Sequence, residues 1–217
     1  MLIAEELLLL SLDDQSGKLM TNRLKIDVAL AGGLLVELVV LGKIDIAGDG
    51  DSVKRGRLVV RNASRVGDPA LDAALAAVTQ RVGKKPASAL SAIKKGVRET
   101  LLSRLAAAGE IRYEQHRLLG VIPTTRWPAA PGGHERGVRA RLGDVLVRGT
   151  TPDVRTAALI GLLRAVGSVA KVVPSDDGRA VNQRAKAIAD GQRVSDAVRA
   201  LVRATQSGAS AAVSAAG

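Results

Sequence analysis

The sequence contains no cysteine and no phenylalanine, and it has one tryptophan and one tyrosine in 217 residues. The absence of cysteine excludes disulfide bonds, thiolate metal sites and cysteine nucleophiles, and it is typical of a reducing compartment. Apolar residues nevertheless make up 47% of the chain. The core must therefore consist of Leu, Val, Ala and Ile, a mixture that favours helix packing over an aromatic-rich sheet.

Long hydrophobic runs are also missing. The longest apolar stretch, Val28 to Gly42, is interrupted by Glu37 and is shorter than the ~20 residues that a membrane-spanning helix needs. Glu5 and Glu6 stand where a secretory signal would be basic. We therefore expect a cytoplasmic protein whose contact with a membrane is peripheral, on the cytoplasmic face.

Acidic residues are too few to balance the basic ones: 21 Asp and Glu face 32 Lys and Arg, for a net charge of +11. A field of this sign attracts nucleic acid or anionic lipid. The alternative is a solvated basic surface produced by Arg-rich coding. The abundance of Ala, Arg, Val and Gly resembles GC-rich bacterial coding, so we expect a bacterial protein.

Helical periodicity and capping residues dominate what is present. Asp68-Pro69 predicts an N-cap followed by proline at the first helical position, and Gly32-Gly33 inside an apolar helix predicts close approach of another helix. We expect a mainly α fold, a helical bundle wrapped by amphipathic helices, with one or two β-hairpins. Residues 1–206 should form a single domain, followed by a disordered Ser/Ala/Gly-rich tail at 207–217.

Two hairpins are predicted from short apolar runs around turn residues. The first joins residues 43–47 to 57–61. The second joins 110–114 to 117–122, with its turn at Gln115-His116.

Catalytic and metal-binding signatures are not found. The two histidines, His116 and His134, have no His, Asp or Glu partner at metal-ligand spacing. No nucleophile elbow, dinucleotide fingerprint or P-loop occurs. We predict no catalytic residues, no metal ligands, no cofactor and no enzymatic activity.

The strongest constellation is basic and surrounds Gly96. Lys94 and Arg98 would fall on the apolar stripe of one continuous helix, where charge is unfavourable. If Gly96 breaks the helix, Lys94, Lys95 and Arg98 cluster at a new helix N-terminus, where free amides and the helix dipole favour anions. This pattern predicts a phosphate site; an ordinary solvated basic face is the alternative.

The second hairpin carries an apolar cluster that includes Leu118, Leu119 and Val121, flanked by Arg117 and Arg126. If exposed, these residues make a wedge suited to a lipid interface. If buried, they pack on the preceding helix.

Four segments in order resemble the Golgi phosphoprotein 3 family: LIAEELLLLSLDDQSG (2–17), LAGGLLVELVVLGKIDI (30–46), VRETLLSRLAAAGEIRYEQ (97–115) and TPDVRTAALIGLL (151–163). The resemblance implies a central helical bundle with a protruding hairpin. It also implies binding of phosphatidylinositol 4-phosphate on the cytosolic membrane face and recruitment of partner proteins. The glycosyltransferase-tail role of eukaryotic members is not implied for a bacterial protein, which has no Golgi.

The resemblance also implies a headgroup pocket. Lys95 and Arg98 match the family's basic pair at i, i+3, but its tryptophan falls on Asn22 and its other basic residue on Ala31. Arg23 stands beside the lost tryptophan as a compensating cation. Anion binding is therefore implied, whereas specificity for the 4-phosphate is not.

Two functions compete at this point. The favoured one is a peripheral membrane module that reads anionic phospholipid and acts as an adaptor, with a protein partner or a second copy of the chain as further partners. The alternative is a winged-helix-like nucleic-acid-binding protein, because a helix followed by a hairpin occupies 97–123. That helix carries Leu101, Leu102 and Leu105 and offers few base-reading side chains, so a nucleic-acid partner is disfavoured.

Overall fold

The computed structural model describes residues 1–118, 122–130, 133–191 and 195–215. The described residues form ten helices: α1 (Ile3–Leu9), α2 (Arg23–Val40), α3 (Pro69–Thr79), α4 (Pro86–Ile93), α5 (Val97–Ala107), α6 (His134–Leu146), α7 (Val154–Val166), α8 (Val169–Val172), α9 (Gly178–Asp190) and α10 (Asp196–Ser214). Two antiparallel hairpins accompany them: β1 (Ile44–Ile46) with β2 (Leu58–Val60), and β3 (Glu114–Leu118) with β4 (Ile122–Arg126). The predicted mainly α fold is confirmed.

Helix α2 is the centre of the bundle and contacts α1, α3, α4, α5, α7 and α10. A Cβ on Gly32 would lie 2.3 Å from Oγ1 of Thr205 in α10, and one on Gly33 would lie 3.0 Å from Cα of Ala4 in α1. The prediction that the glycine pair allows close helix approach is confirmed. Its cost in helix propensity is offset by packing on both sides of α2.

The buried charges of the bundle are paired. Glu5 accepts from Nε of Arg104 at 2.7 Å, and Glu6 accepts from Nη2 of Arg141 at 2.8 Å. Glu37 accepts from the amide of Ile3 at 2.9 Å, so α2 holds the start of α1. Pairing of this kind satisfies carboxylates that would otherwise be costly to bury.

Side-chain oxygens of N-cap residues accept hydrogen bonds from the first amides of helices α3 and α7. Asp68 accepts from the amides of Ala70 and Leu71 at 2.9 and 3.1 Å, as its position before Pro69 predicts. Helix α7 follows Thr151 and Pro152, and its N-cap is Asp153. The carboxylate of Asp153 reaches the amide of Thr156 at 2.7 Å and is a stronger acceptor than a hydroxyl.

Asp68 also receives two hydrogen bonds from the Arg104 guanidinium, at 3.1 and 2.7 Å. Burial acts to raise the pKa of this carboxyl, but Arg104 and the α3 amides outweigh it and hold the pKa below its ordinary value of 3.8. A carboxyl with a depressed pKa stabilises the fold above its unfolded-state pKa, and that contribution is lost as the pH falls through the folded-state value.

Replacing Asp68 with asparagine, which keeps the cap, should therefore lower the free energy of unfolding by about 1 kcal/mol at neutral pH. The difference between the two proteins should shrink as the pH falls below 3.8. Urea unfolding followed through the acid range measures this difference. A difference that stays constant with pH would contradict the assignment.

The C-terminal segment differs from the expected disordered tail. Helix α10 continues through Ser214, with Ala209 fully buried and Gly208 against Val28 of α2. Ser, Ala and Gly are typical of flexible tails, but their small side chains also allow a helix to lie close to a neighbour.

The register of the second hairpin also differs from the prediction. Gln115 and His116 do not form its turn; they pair with Thr125 and Thr124 in the ladder between β3 and β4. Leu118 ends β3 and pairs with Ile122. Leu119 and Val121 lie outside the described residues, so the predicted apolar wedge is not tested. Among the described helices, none is both long and apolar enough to cross a bilayer.

Candidate anion-binding site

Gly96 breaks the helix that the sequence pattern suggests. Helix α4 ends at Ile93 and α5 begins at Val97, with Gly96 between them at φ +77° in the left-handed region. Glycine adopts this conformation without the steric cost that a Cβ brings. Gly96 is the N-cap of α5, and no side chain caps this end. The amide of Glu99 bonds its own carboxylate, and the two amides before it receive no cap from Gly96, so they can bind an anion.

A surface cleft opens at this break, where the starts of α2 and α5 meet the ends of α4 and α10. We call it the basic cleft. It encloses about 380 Å³, and its charged lining residues are Arg23, Asp27, Lys94, Lys95, Arg98 and Glu99. Ala212 of α10 forms part of its rim. Four cations thus face two carboxylates, which leaves an excess of positive charge.

Lys94 and Lys95 are exposed, and no carboxylate within the described residues forms an ion pair with either. Arg23 is exposed as well and lies 3.2 Å from Oε1 of Glu99. These three flexible cations surround the open N-terminus of α5. Their ammonium and guanidinium groups are accessible to an anion from solvent.

Arg98 does not face solvent, contrary to the expectation from sequence. Its side chain is 6% exposed; Nη1 lies 3.4 Å from Oδ1 of Asp27, and Nη2 lies 2.5 Å from Oε1 of Glu99. Two carboxylates therefore resolve the conflict between its charge and the apolar stripe. Neither Nη1 of Arg98 nor Oδ1 of Asp27 has a hydrogen-bond partner within the described structure.

The two carboxylates respond oppositely to these surroundings. Burial raises the pKa of Asp27, although Arg98 acts against this. The hydrogen bond from Arg98 lowers the pKa of Glu99, with the charge of Arg23 acting in the same direction. Glu99 is therefore ionised at neutral pH and is shared between a buried and an exposed arginine.

Asn22 and Ala31 occupy positions where the resemblance places a tryptophan and a basic residue. Asn22 is the N-cap of α2, and its Oδ1 accepts from the amides of Leu24 and Lys25 at 2.9 and 3.3 Å. Ala31 is fully buried inside the bundle. Asn22 thus has a structural role, and Ala31 leaves no cation at that point.

A second opening, the aromatic cleft, adjoins the first and encloses about 670 Å³. It shares Arg23, Arg98 and Glu99 with the basic cleft and adds, among others, Lys18, Ser103, Tyr113, Thr125 and Trp127. Sequence reasoning did not identify this cleft, because WPAAPGG (127–133) has the composition of a loop. The available signal was that the only Tyr and the only Trp flank the same hairpin.

The remaining sequence candidates are not brought together into a site. Within the described residues, no group of His, Asp and Glu has the arrangement of a metal site. Nε2 of His134 lies 3.6 Å from Oε1 of Glu6. Helix α5 would be the recognition helix of a winged-helix protein. Its Arg104 is held by Glu5 and Asp68, so the guanidinium is not free to reach a base.

Comparison with known proteins identifies one family. The family model described as Golgi phosphoprotein 3 (GPP34) matches residues 3–205, nearly the whole chain. No curated protein matches the sequence. The resemblance drawn from the four ordered segments is thereby confirmed.

Proposed function

Because the chain belongs to the Golgi phosphoprotein 3 family, we propose that it is a peripheral membrane module that binds anionic phospholipid headgroups through the basic cleft. The family consists of phosphoinositide-binding adaptors without enzymatic activity. The proposal places this protein on the cytoplasmic face of a membrane, where an adaptor also engages a protein partner.

The observation that carries the proposal is the juxtaposition of three exposed cations with an uncapped helix start. Lys94, Lys95 and Arg23 surround the N-terminus of α5. A headgroup phosphate there would accept hydrogen bonds from the cations and from the first two amides of α5, and the helix dipole would favour its charge. The excess of +11 charges on the whole chain adds long-range attraction to an anionic surface.

Arg98 contributes differently from the lysines. Its guanidinium forms the floor of the cleft, and its bond to Glu99 fixes that carboxylate at the rim. We therefore assign phosphate contact to Lys94, Lys95 and Arg23, and assign to Arg98 the positioning of the rim and a buried positive charge.

Selectivity for one phosphoinositide is not part of the proposal. Asn22 offers no ring on which a headgroup could stack, and Ala31 offers no charge. Membrane insertion of the hairpin tip, with Leu118, Leu119 and Val121, stays a prediction beside the proposal.

The double variant Lys94→Ala/Lys95→Ala should bind acidic vesicles roughly thirtyfold more weakly at low salt, since each basic residue near an anionic surface contributes about 1 kcal/mol. Vesicle flotation measures the loss. Wild-type binding should require acidic phospholipid, should be negligible on pure phosphatidylcholine, and should weaken as salt rises, because screening reduces the attraction between exposed charges.

The matched control is Arg179→Ala/Lys186→Ala. It removes the same charge from α9, where both side chains are exposed and neither lines the basic cleft. Equal loss in the two variants would show that binding is a property of diffuse charge and not of the cleft. Flotation with neutral and acidic vesicles alike, or binding of DNA in preference to acidic vesicles in a mobility-shift assay, would overturn the proposed function.

A further inference from the structure

Tyr113 and Trp127 stand together at the base of the second hairpin. Their ring centroids are 5.0 Å apart in an edge-to-face arrangement with an interplanar angle of 61°. Tyr113 is 52% exposed, whereas Trp127 is partly buried and packs against the core. The chain has no other tyrosine or tryptophan and no phenylalanine, so both of its aromatic residues lie at one place on the surface.

The location is unusual for rings that are not needed in the core. The described core is aliphatic throughout, and exposure of a large amphipathic ring forgoes the stabilisation that burial brings. Tyr and Trp combine an apolar body with a polar end, which suits them to the boundary between lipid and water. The hydroxyl of Tyr113 accepts a hydrogen bond from Gln115 at 2.6 Å, while its ring stays accessible.

Backbone hydrogen bonds hold the segment that carries Trp127. Its amide donates to the carbonyl of Gly17, and the next residues are held on both sides. The amide of Arg112 donates to the carbonyl of Pro128 at 2.9 Å, and the amide of Ala129 donates to the carbonyl of Asp14 at 3.1 Å. A segment whose backbone is already held can contact a partner with a smaller entropic cost of ordering.

The charges around the pair identify the chemistry of that partner. The aromatic cleft shares the exposed Arg23 with the basic cleft, and the exposed Lys18 lines it as well. The face that presents the rings is thus the face that presents the exposed cations. Apolar rings beside cations complement the interface of an anionic bilayer, where phosphates lie next to the first methylenes.

We propose that Tyr113 and Trp127 form an interfacial anchor, which enters the headgroup region of an anionic bilayer while the basic cleft binds a phosphate. This inference rests on the proposed function and adds the surface that orients the protein on the membrane. The partner is the bilayer interface, and a free phosphorylated headgroup in solution does not replace it.

Trp127 is the only tryptophan, so its fluorescence reports on this surface in the unmodified protein. Addition of vesicles containing acidic phospholipid should shift its emission to shorter wavelength. Lipids brominated near the headgroup end of their acyl chains should quench it more strongly than lipids brominated near the chain terminus. Soluble inositol phosphate should produce neither a comparable shift nor any dependence on bromine position.

The test variant replaces Tyr113. Because this side chain is exposed, its replacement removes little buried packing from the fold. Tyr113→Ala should weaken partition onto acidic vesicles about tenfold, which corresponds to 1.4 kcal/mol. Val147→Ala is the control, because Val147 is similarly exposed, at 55%, and lines neither cleft. Its partition should equal that of the wild type.

The outcomes separate this inference from the proposed function. Flotation with acidic vesicles, together with unchanged Trp127 emission and unchanged partition of Tyr113→Ala, would overturn the anchor and leave the proposed function standing. A full spectral shift with soluble inositol phosphate alone would also overturn it, because the rings would then belong to a soluble-ligand site. Failure to float on any vesicle would overturn both.

Discussion

Gly17→Ala should lower the free energy of unfolding by about 3 kcal/mol or more, since a left-handed alanine alone costs 1–2 kcal/mol and the fold must also relieve a backbone clash. Gly17 has φ +61°, and a Cβ there would lie 2.2 Å from the backbone N and C atoms of Trp127. Backbone atoms cannot rotate away as a side chain would. The segment that carries Trp127 must therefore move from the turn at Gly17.

Urea unfolding of Gly17→Ala, beside the emission of Trp127 in the folded protein, measures both consequences. The matched control is Gly42→Ala, because Gly42 has a similar φ of +64° but open space around its Cβ position. The control pays only the backbone strain, so the difference between the two variants is the contribution of the clash. Equal destabilisation would mean that Trp127 does not press on Gly17.

Arg98→Ala should lower the free energy of unfolding by about 3 kcal/mol, because removing one partner of a buried ion pair leaves the other charge uncompensated. Arg98 is 6% exposed and Asp27 20% exposed, so water replaces little of the lost interaction. Loss of vesicle binding by this variant would accordingly report unfolding as well as any change at the cleft.

The double variant Asp27→Asn/Arg98→Met should recover part of the loss, because it removes both charges and keeps most of the buried volume. Lys94→Ala/Lys95→Ala should unfold at the wild-type urea concentration, since both side chains are exposed. If Arg98→Ala proved as stable as the wild type, the ion pair with Asp27 would have no structural role.

Local signals predicted much of the fold. The helix break at Gly96 was predicted from a conflict between charge and apolar periodicity. The close approach of another helix to α2 was predicted from the helix-propensity cost of its glycine pair. Both arguments use residues close together in the chain. The cap at Asp68 could be predicted for the same reason, because the N-cap oxygen bonds amides two and three residues away.

The environment of Arg98 could not be predicted in this way. Its partner Asp27 lies on α2, and only the packing of α2 against α5 brings the two side chains together. The same holds for the aromatic pair, because Tyr113 and Trp127 meet across the base of a hairpin whose register was misplaced. Asn22 illustrates a third difficulty: a position matched to a headgroup ligand in the family serves here as a helix cap.

The glycine pair of α2 has a mechanical consequence for the distant end of the bundle. Helix α10 crosses α2 at Gly32 against Thr205, runs past Val28 at Gly208, and reaches the basic cleft at Ala212, which lines the cleft together with Arg23. Because Gly32 has no side chain, the two helices lie close together at their crossing. A larger residue at position 32 would push α10 away from α2 and widen the gap between Arg23 and Ala212 without touching either residue. The distance at which the backbones of α2 and α10 pass inside the bundle therefore contributes to the width of a cleft that both helices line.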